Sequence, residues 1–434
     1  MRRLRVIFPV LVVLLTFPAE GQADQSLSLQ EALNRALEAN PELRIARSQV
    51  DRAEARKTQL RSSILPHLSL EGRTTFNDRS VEFELGEAIA TILPRNDWRA
   101  EIRMTQPVFS GGRELRAIRQ AGLGIEDAAE GLRGTREGLL LSTTADYLGV
   151  IEGDALVDVE RKNVELAQRR LEQARAFYEA GETTRVDLLR AETAIRSAER
   201  RLTAASQERA SAASRLRIDL AMDVPVAVSE PEIDLAGLPP TEALVDRAVA
   251  AHPSVQRARL AVKFHELEVS KQRRKYLPTV TSEASYVAQA SDFPAGEYGS
   301  FTLNFSLPIF DSFDIASQVR IAKEDLKQAR LQLEAIERSV RESVELSLVD
   351  LEAAETNLAL ARQQLEAAQA EYEQMFELYR AQEATTLDLE AAETTLADAR
   401  RAVVVGTIDL DLARLAAWYA AGSLEEALMA EALQ

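Results

Sequence analysis

Long stretches of the chain place apolar residues at the three- and four-residue spacing of an amphipathic helix. One such stripe, separated by glutamate, arginine and glutamine, includes Leu326, Ala329, Leu333, Ile336 and Val340. This spacing is typical of a coiled coil, in which small alanines let two helices approach closely. The pattern predicts long helices over about 113–180, 184–222, 313–380 and 385–420, and shorter ones over 28–64 and 241–276. The two longest would each extend for roughly 100 Å.

Four other segments alternate apolar and polar residues, which is the pattern of a β-strand with two different faces. In the segment that begins at Trp98, the apolar positions alternate with Arg99, Glu101 and Arg103. The alternation predicts strands near 68–76, 98–109, 279–289 and 298–309, with outer loops over 77–97 and 290–297. A half-buried soluble sheet and a barrel in a membrane both produce this pattern.

The same series of landmarks occurs twice along the chain. The Glu-Ala-Leu at 31–33 recurs at 242–244, and the later landmarks keep their order. Prolines interrupt the helical pattern between 225 and 240, which marks the junction. We therefore predict a first structural repeat over 24–230 and a second over 231–434, which together form one protomer. Each repeat would consist of a first helix, a strand pair and a long helical hairpin.

Four strands are too few to enclose a barrel in a membrane. Known single-chain barrels begin at about eight strands, and an open sheet edge cannot be satisfied in hydrocarbon. If these strands face lipid, copies of the chain must complete the wall. Trp98 and Tyr298 begin the second strand of each pair, where an aromatic belt would lie.

The turns of the two helical hairpins have related sequences. The first contains Tyr178, Gly181, Thr184 and Asp187, and the second contains Tyr379, Gln382, Thr385 and Asp388. Glycine suits a helix end with a positive φ angle. Each threonine precedes its aspartate by the spacing of a capping box, so helix capping is one explanation of both aspartates. The other explanation is an acidic ring around the axis of an oligomer, which would favour cations and narrow the entrance.

The composition excludes several classes of function. The chain has 69 acidic and 52 basic side chains, a net charge of −17, which makes nucleic acid an improbable partner. It has no cysteine, which excludes disulfides and thiolate metal sites. The three histidines, His67, His252 and His265, show no ligand spacing, and no side chains form a catalytic constellation. We therefore expect neither an enzyme nor a cofactor or metal site.

Residues 1–23 have the pattern of a secretory signal peptide. Basic residues at the start precede an apolar run from Val6 to Phe17, and small residues follow at Ala19, Gly21 and Ala23. The run is too short to cross a bilayer as a helix, for which about 20 residues are needed. We expect export from the cytoplasm and removal of this segment.

Together these features resemble the outer-membrane efflux protein (TolC) family. The resemblance rests on the paired turns, the Ala-Glu-Thr after each, the paired Leu-Pro landmarks, and the Pro-Val-Phe-Ser-Gly-Gly and Pro-Ile-Phe-Asp strand exits. These motifs extend from about 27 to 420. The resemblance implies a mainly α-helical protein with a membrane β-barrel. Three identical chains would form a 12-stranded barrel in the outer membrane, continued by an α-helical barrel through the periplasm.

The resemblance also implies partners and site residues. The channel would be the exit duct of a tripartite efflux or type I secretion system, docked to a periplasmic adaptor protein and an inner-membrane transporter. Tyr379 and Asp388 match the gating positions of the family, and Asp187 matches an acidic position of the first turn. The candidates for the helical turns and adaptor docking are Tyr178, Gly181, Thr184, Gln382 and Thr385. Gln382 departs from the family pattern because it replaces the turn glycine, and so does Ala391, which replaces a second aspartate.

Two other interpretations compete with the channel. A periplasmic coiled-coil adaptor or scaffold would explain the long helices, although adaptors usually carry a β-rich lipoyl-like module that is not visible here. Recovery in the soluble periplasmic fraction would favour the scaffold. A hydrolase is disfavoured by the missing catalytic constellation.

Overall fold

The structure, a computed structural model, describes residues 26–85, 88–223, 227–229, 238–291 and 296–430. The predicted signal peptide lies outside these ranges, and so does the predicted boundary between the repeats at 230. Both therefore stay predictions.

The order of elements is nearly the same in the two halves of the chain. The first half contains α1 (Leu29–Ala39), α2 (Pro41–Ser62), β1 (His67–Phe76), β2 (Val81–Leu85), β3 (Ala88–Leu93), β4 (Asn96–Phe109), α3 (Arg113–Glu179) and α4 (Arg185–Asp219). The second half contains α5 (Thr241–Ala251), α6 (Pro253–Arg273), a 3-10 turn (Arg274–Tyr276), β5 (Thr279–Gln289), β6 (Glu297–Ser306), α7 (Asp314–Arg380), α8 (Thr386–Ala420) and α9 (Leu424–Ala430). The four predicted long helices and four predicted strands are confirmed to within three residues at each end.

The differences from the predicted elements have local causes. Each predicted first helix is two helices, because Pro41 and Pro253 begin a new helix that the preceding residue caps. The Asn40 Oδ1 atom accepts the Glu42 amide at 2.8 Å, and His252 caps α6 in the same way. The predicted outer loop 77–97 contains the hairpin β2–β3. Helix α9 was not predicted.

The apolar core lies beside the middle of the long helices, where the short helices pack on them. Leu140 and Leu148 of α3 contact Leu415 and Trp418 of α8 in one cluster. A second cluster surrounds Tyr147, whose hydroxyl lies 2.8 and 2.7 Å from the carbonyl oxygens of Leu27 and Ser229. Helices α5 to α8 share a third cluster. These clusters pack the two helical hairpins against each other and against the short helices.

Helices α3 and α7 each have 67 residues, which makes them about 100 Å long. Toward the turns each pairs with its return helix, α4 or α8, through narrow apolar layers. None of the helices in the described ranges has the length and the apolar character needed to cross a membrane.

The four long strands form one antiparallel sheet in the order β1-β4-β5-β6. Its register places Leu68 opposite Met104, Met104 opposite Ala284, and Ala284 opposite Phe301, so these side chains share a face. The large exposed side chains of this face include Leu68, Leu70, Phe76, Trp98, Ile102, Met104, Tyr286, Phe301, Leu303 and Phe305. Such a continuous exposed apolar surface suits contact with lipid or with another protein. Strands β1 and β6 are the two edges.

Candidate aperture at the helical turns

The first turn joins α3 to α4 with a left-handed residue followed by a capping box. Gly181 has a φ of 79°, and the Glu182 amide donates to the Phe177 carbonyl at 2.8 Å. This bond satisfies a carbonyl at the end of α3. The Thr184 hydroxyl then accepts the Asp187 amide at 3.3 Å and donates to Asp187 Oδ2 at 2.6 Å. The predicted capping box is therefore confirmed.

The second turn, between α7 and α8, repeats this geometry without the glycine. Gln382 has a φ of 63°, and the Glu383 amide donates to the Leu378 carbonyl at 2.8 Å. The Asp388 amide donates to the Thr385 hydroxyl at 3.3 Å, and that hydroxyl donates to Asp388 Oδ2 at 2.6 Å. The capping role of Asp388 is also confirmed.

The two turns lie side by side and contact each other. The Gln382 side-chain amide donates to Glu182 Oε2 at 2.7 Å. The rings of Phe177 and Tyr379 pack edge to face with centroids 5.9 Å apart. A cleft of about 540 Å³ between the turns is lined by residues of both, including Asp187 and Thr385. The structure therefore brings the sequence-predicted site residues to one end of the molecule.

The exposure of these residues differs in a way that bears on their roles. Tyr379 is only 5% exposed, because it packs between the two hairpins. Tyr178 is 42% exposed, and Gly181, Thr184, Gln382 and Thr385 are also exposed. Asp187 is half-buried, and Asp388 is exposed. Within one protomer, only Asp388 of the three predicted aperture residues has a side chain that is widely open to solvent.

Both aspartates carry a negative charge at neutral pH. The hydrogen bond from the Thr184 hydroxyl lowers the pKa of Asp187, helped by Thr183 and by Arg190, whose Nη1 atom lies 3.7 Å from Asp187 Oδ1. The Thr385 hydroxyl and amide lower the pKa of Asp388. Among the described residues, Asp187 has an ion-pair partner and Asp388 has none. A channel that narrows here would present the Asp388 carboxylates to permeating ions.

Buried ion pairs join α3 to α8 behind the turns. Arg170, whose side chain is 1% exposed, donates from Nη1 to Glu393 Oε2 at 2.7 Å. Burial raises the pKa of Glu393, and the charge of Arg170 opposes that rise. Nearby, the buried Glu160 carboxylate accepts from Arg401 and, at 3.2 Å, from Asn163. These pairs connect the two hairpins directly.

Sequence reasoning missed the residues through which the hairpins contact each other. Glu182, Phe177 and the Arg170–Glu393 pair had no role in the predicted site. Arg170 and Glu393 are 223 positions apart, and no local motif links them. One signal was available for Glu182, since it immediately follows the turn glycine at the position matched by Glu383 in the second turn.

Comparison with known proteins agrees with this architecture. The family described as outer membrane efflux protein matches residues 32–219 and 244–418. The chain is 26% identical over 372 residues to outer membrane efflux protein BepC of Brucella suis, covering 84% of this chain and 79% of BepC. It is 24% identical over 391 residues to outer membrane protein TolC of Escherichia coli, covering 86% of this chain and 77% of TolC.

A solved structure shows the same fold. The crystal structure of CusC superposes with a TM-score of 0.80 at 16% identity, covering 92% of this chain and 93% of that one. At this identity the similarity establishes the fold: long helices that continue a membrane β-barrel as a helical barrel.

The scaffold and hydrolase interpretations do not hold. The match to the family covers most of the chain, and it includes both helical hairpins and the strands. The protein is a transport duct rather than an enzyme, located in the outer membrane with a long periplasmic extension. The chain belongs to the outer membrane efflux protein family, as an outer-membrane channel subunit.

Proposed function

We propose that three copies of this chain form an exit duct that closes at its helical turns. Channels of this family are trimers that work with periplasmic adaptors and inner-membrane transporters. The observation that carries the proposal is the four-stranded sheet, which has an exposed apolar face and two unpaired edges, β1 and β6. Pairing β1 of one protomer with β6 of the next gives twelve strands and leaves no open edge.

The periplasmic aperture is assigned to Asp187, Tyr379 and Asp388. Asp388 supplies the charge that faces the pore, because it is exposed and its pKa is lowered by Thr385. Three copies place three carboxylates around one axis, which favours cations. Tyr379 does not face the pore; its buried ring packs on Phe177 and so holds the second turn against the first. Asp187 contributes a second acidic position that Arg190 partly neutralises.

The outer surface of the turns is assigned to docking of the periplasmic adaptor protein. The residues proposed to contact it are Tyr178, Gly181, Thr184, Gln382 and Thr385, all of which are exposed. Their exposed polar groups and the Tyr178 ring provide hydrogen bonding and apolar contact area for a helical partner. Through that adaptor the duct would receive cargo from an inner-membrane transporter. The predicted repeats, 24–230 and 231–434, would each contribute one hairpin to this surface.

Planar-bilayer recordings test the channel and its aperture together. Purified wild-type protein should insert as a trimer and conduct with a preference for potassium over chloride. Asp388→Asn should lower that preference, because asparagine can still accept the cap hydrogen bonds but carries no charge. Thr385→Ala is the matched control: it removes the cap hydroxyl and keeps the carboxylate, so it should lower stability by about 1 kcal/mol and preserve selectivity.

The outcomes separate the two roles of the aspartate. If Asp388→Asn conducts with unchanged selectivity, Asp388 is only a helix cap. If the wild-type protein is a water-soluble monomer that does not insert, the duct itself is refuted.

A further inference from the structure

A band of charged side chains crosses the face of the sheet opposite its apolar face. We call it the charged belt, and it consists of Glu71, Arg73, Arg99, Glu101, Arg103 and Glu283. The register places these residues in neighbouring rows: Glu71 is opposite Glu101, and Arg73 is opposite Arg99. On β4 they alternate with Ala100 and Ile102 of the apolar face. In the trimer proposed above, on which this inference rests, the belt lines the barrel lumen.

Glu101 is the centre of the belt. Its side chain is only 8% exposed. It is covered by the two arginines two residues away on the same strand. Arg99 Nη2 donates to Glu101 Oε2 at 3.0 Å, and Arg103 donates to Glu101 Oε1 from Nη2 at 2.6 Å and from Nε at 3.0 Å. The Glu101 carboxylate therefore fixes the positions of both guanidinium groups on this face of the sheet.

The pairing extends across the sheet to the neighbouring strand. Arg103 Nη1 lies 3.2 Å from Glu283 Oε1 on β5. Charge-assisted bonds of this kind are short and directional, so they fix where each guanidinium group lies. Arg99 and Arg103 remain 37% and 39% exposed, so their charges are accessible to ions in the lumen.

The belt is electrically balanced, unlike the chain as a whole. It contains three arginines and three glutamates per protomer, whereas the full chain carries a net charge of −17. In the four long strands, the one further charged residue on this face is Asp97, at the rim next to the hairpin β2–β3. Like charges face each other across β1 and β4, so the balance depends on the contacts along β4.

We propose that Glu101 is a selectivity-determining residue of the barrel section. By offsetting one of the two positive charges of Arg99 and Arg103, its carboxylate keeps a ring of guanidinium groups from attracting anions and repelling cations in the lumen. Removing that one charge leaves each protomer with one more net positive charge on the face that lines the lumen. The helical turns and the belt are then two separate elements that set the ion preference of the duct.

The test is the potassium-to-chloride permeability ratio of Glu101→Gln in planar bilayers under a salt gradient. Glutamine keeps the size and one acceptor oxygen, so the strand register should persist. The ratio should fall by about twofold or more relative to wild type. The double variant Glu101→Gln/Arg103→Gln restores the balance of the belt and should return the ratio toward the wild-type value.

A matched control changes the same residue type on the other face of the same sheet. Glu297 accepts a hydrogen bond from the Tyr286 hydroxyl at 2.8 Å, and its strand position is opposite Ala288 on the apolar face. Glu297→Gln should therefore leave the ratio unchanged. A heat-sensitive trimer band on gels confirms assembly of each variant.

Three outcomes overturn the inference while the duct itself stands. These are a conducting Glu101→Gln channel with wild-type selectivity, a double variant with the same shift as the single one, and an equal shift for Glu297→Gln. Failure of the wild-type protein to conduct would instead refute the proposed function.

Discussion

Glu137 is predicted to destabilise the folded protein above neutral pH. It lies in α3 beside the core, with a side chain that is 4% exposed. Burial raises its pKa from 4.5 to about 7, and the charge of Arg133, with its Nε atom 3.8 Å from Glu137 Oε1, opposes the rise. The carboxylates of Glu425 and Glu426 in α9 raise it further. Desolvation outweighs this one long ion pair.

The sign of the effect follows from proton binding. Below about pH 4.5 both the folded and the unfolded chain keep the proton, so Glu137 contributes nothing to the pH dependence. Between about pH 4.5 and 7 the unfolded chain loses the proton first, so the free energy of unfolding falls as pH rises. The shift of about 2.5 pKa units corresponds to roughly 3 kcal/mol per protomer once the pH exceeds 7.

Glu137→Gln tests this reasoning, because glutamine resembles the protonated carboxyl group and cannot ionise. Denaturant unfolding of the purified trimer, followed by far-UV circular dichroism, should show little difference from wild type at pH 4.5. At pH 8 the variant should be more stable by up to about 3 kcal/mol per protomer. Glu334→Gln, at a side chain that is 64% exposed, is the control and should change stability little at either pH. A gap between Glu137→Gln and wild type that does not grow with pH would refute the reasoning.

Two further predictions concern contacts between helices. A Cβ atom on Gly153 would lie 2.9 Å from the Arg209 Cα atom, so Gly153→Ala should force α3 and α4 apart and destabilise the protein by about 1–3 kcal/mol. A Cβ atom added to Gly124 would have no other heavy atom within 4 Å, so Gly124→Ala should stabilise α3 by about 1 kcal/mol. Denaturant midpoints measure the effects of both substitutions. Glu393→Gln should destabilise the protein by about 3 kcal/mol, since it leaves the buried Arg170 charge without its counter-ion. The control Glu199→Gln breaks an exposed pair and should cost less than about 1 kcal/mol, and equal losses in the two variants would contradict this account.

The features that sequence predicted well are those set by local periodicity. Alternation on β4 predicted which side of the sheet carries Ile102 and which carries Glu101, because side chains in a strand alternate between faces. The spacing of Thr385 and Asp388 predicted the capping box, since its hydrogen bonds join residues three apart.

Other features depend on which residues meet in space, and sequence did not reveal them. The belt pairing between Arg103 and Glu283 needs the register of β4 against β5. Gly153 looks no different from the other glycines of α3, yet among those glycines it is the one at which an added Cβ atom would lie within 3 Å of the backbone of another helix. Local patterns carry no information about such partners.

Positions at which the two halves differ mark contacts that the duplicated pattern alone does not specify. Gly181 and Gln382 occupy equivalent turns and both have positive φ angles, a conformation that costs a non-glycine residue about 1 kcal/mol. The glutamine side chain offsets that cost by donating to Glu182, a bond that glycine cannot form. At the sheet-to-helix junctions Gly111 and Ser312 both have positive φ angles. A Cβ atom on Gly111 would lie 2.9 Å from the carbonyl oxygen of Arg274, so this junction requires glycine whereas the second one accommodates serine. Duplication therefore preserved the backbone of each turn, while divergence of single side chains determined how the two halves contact each other.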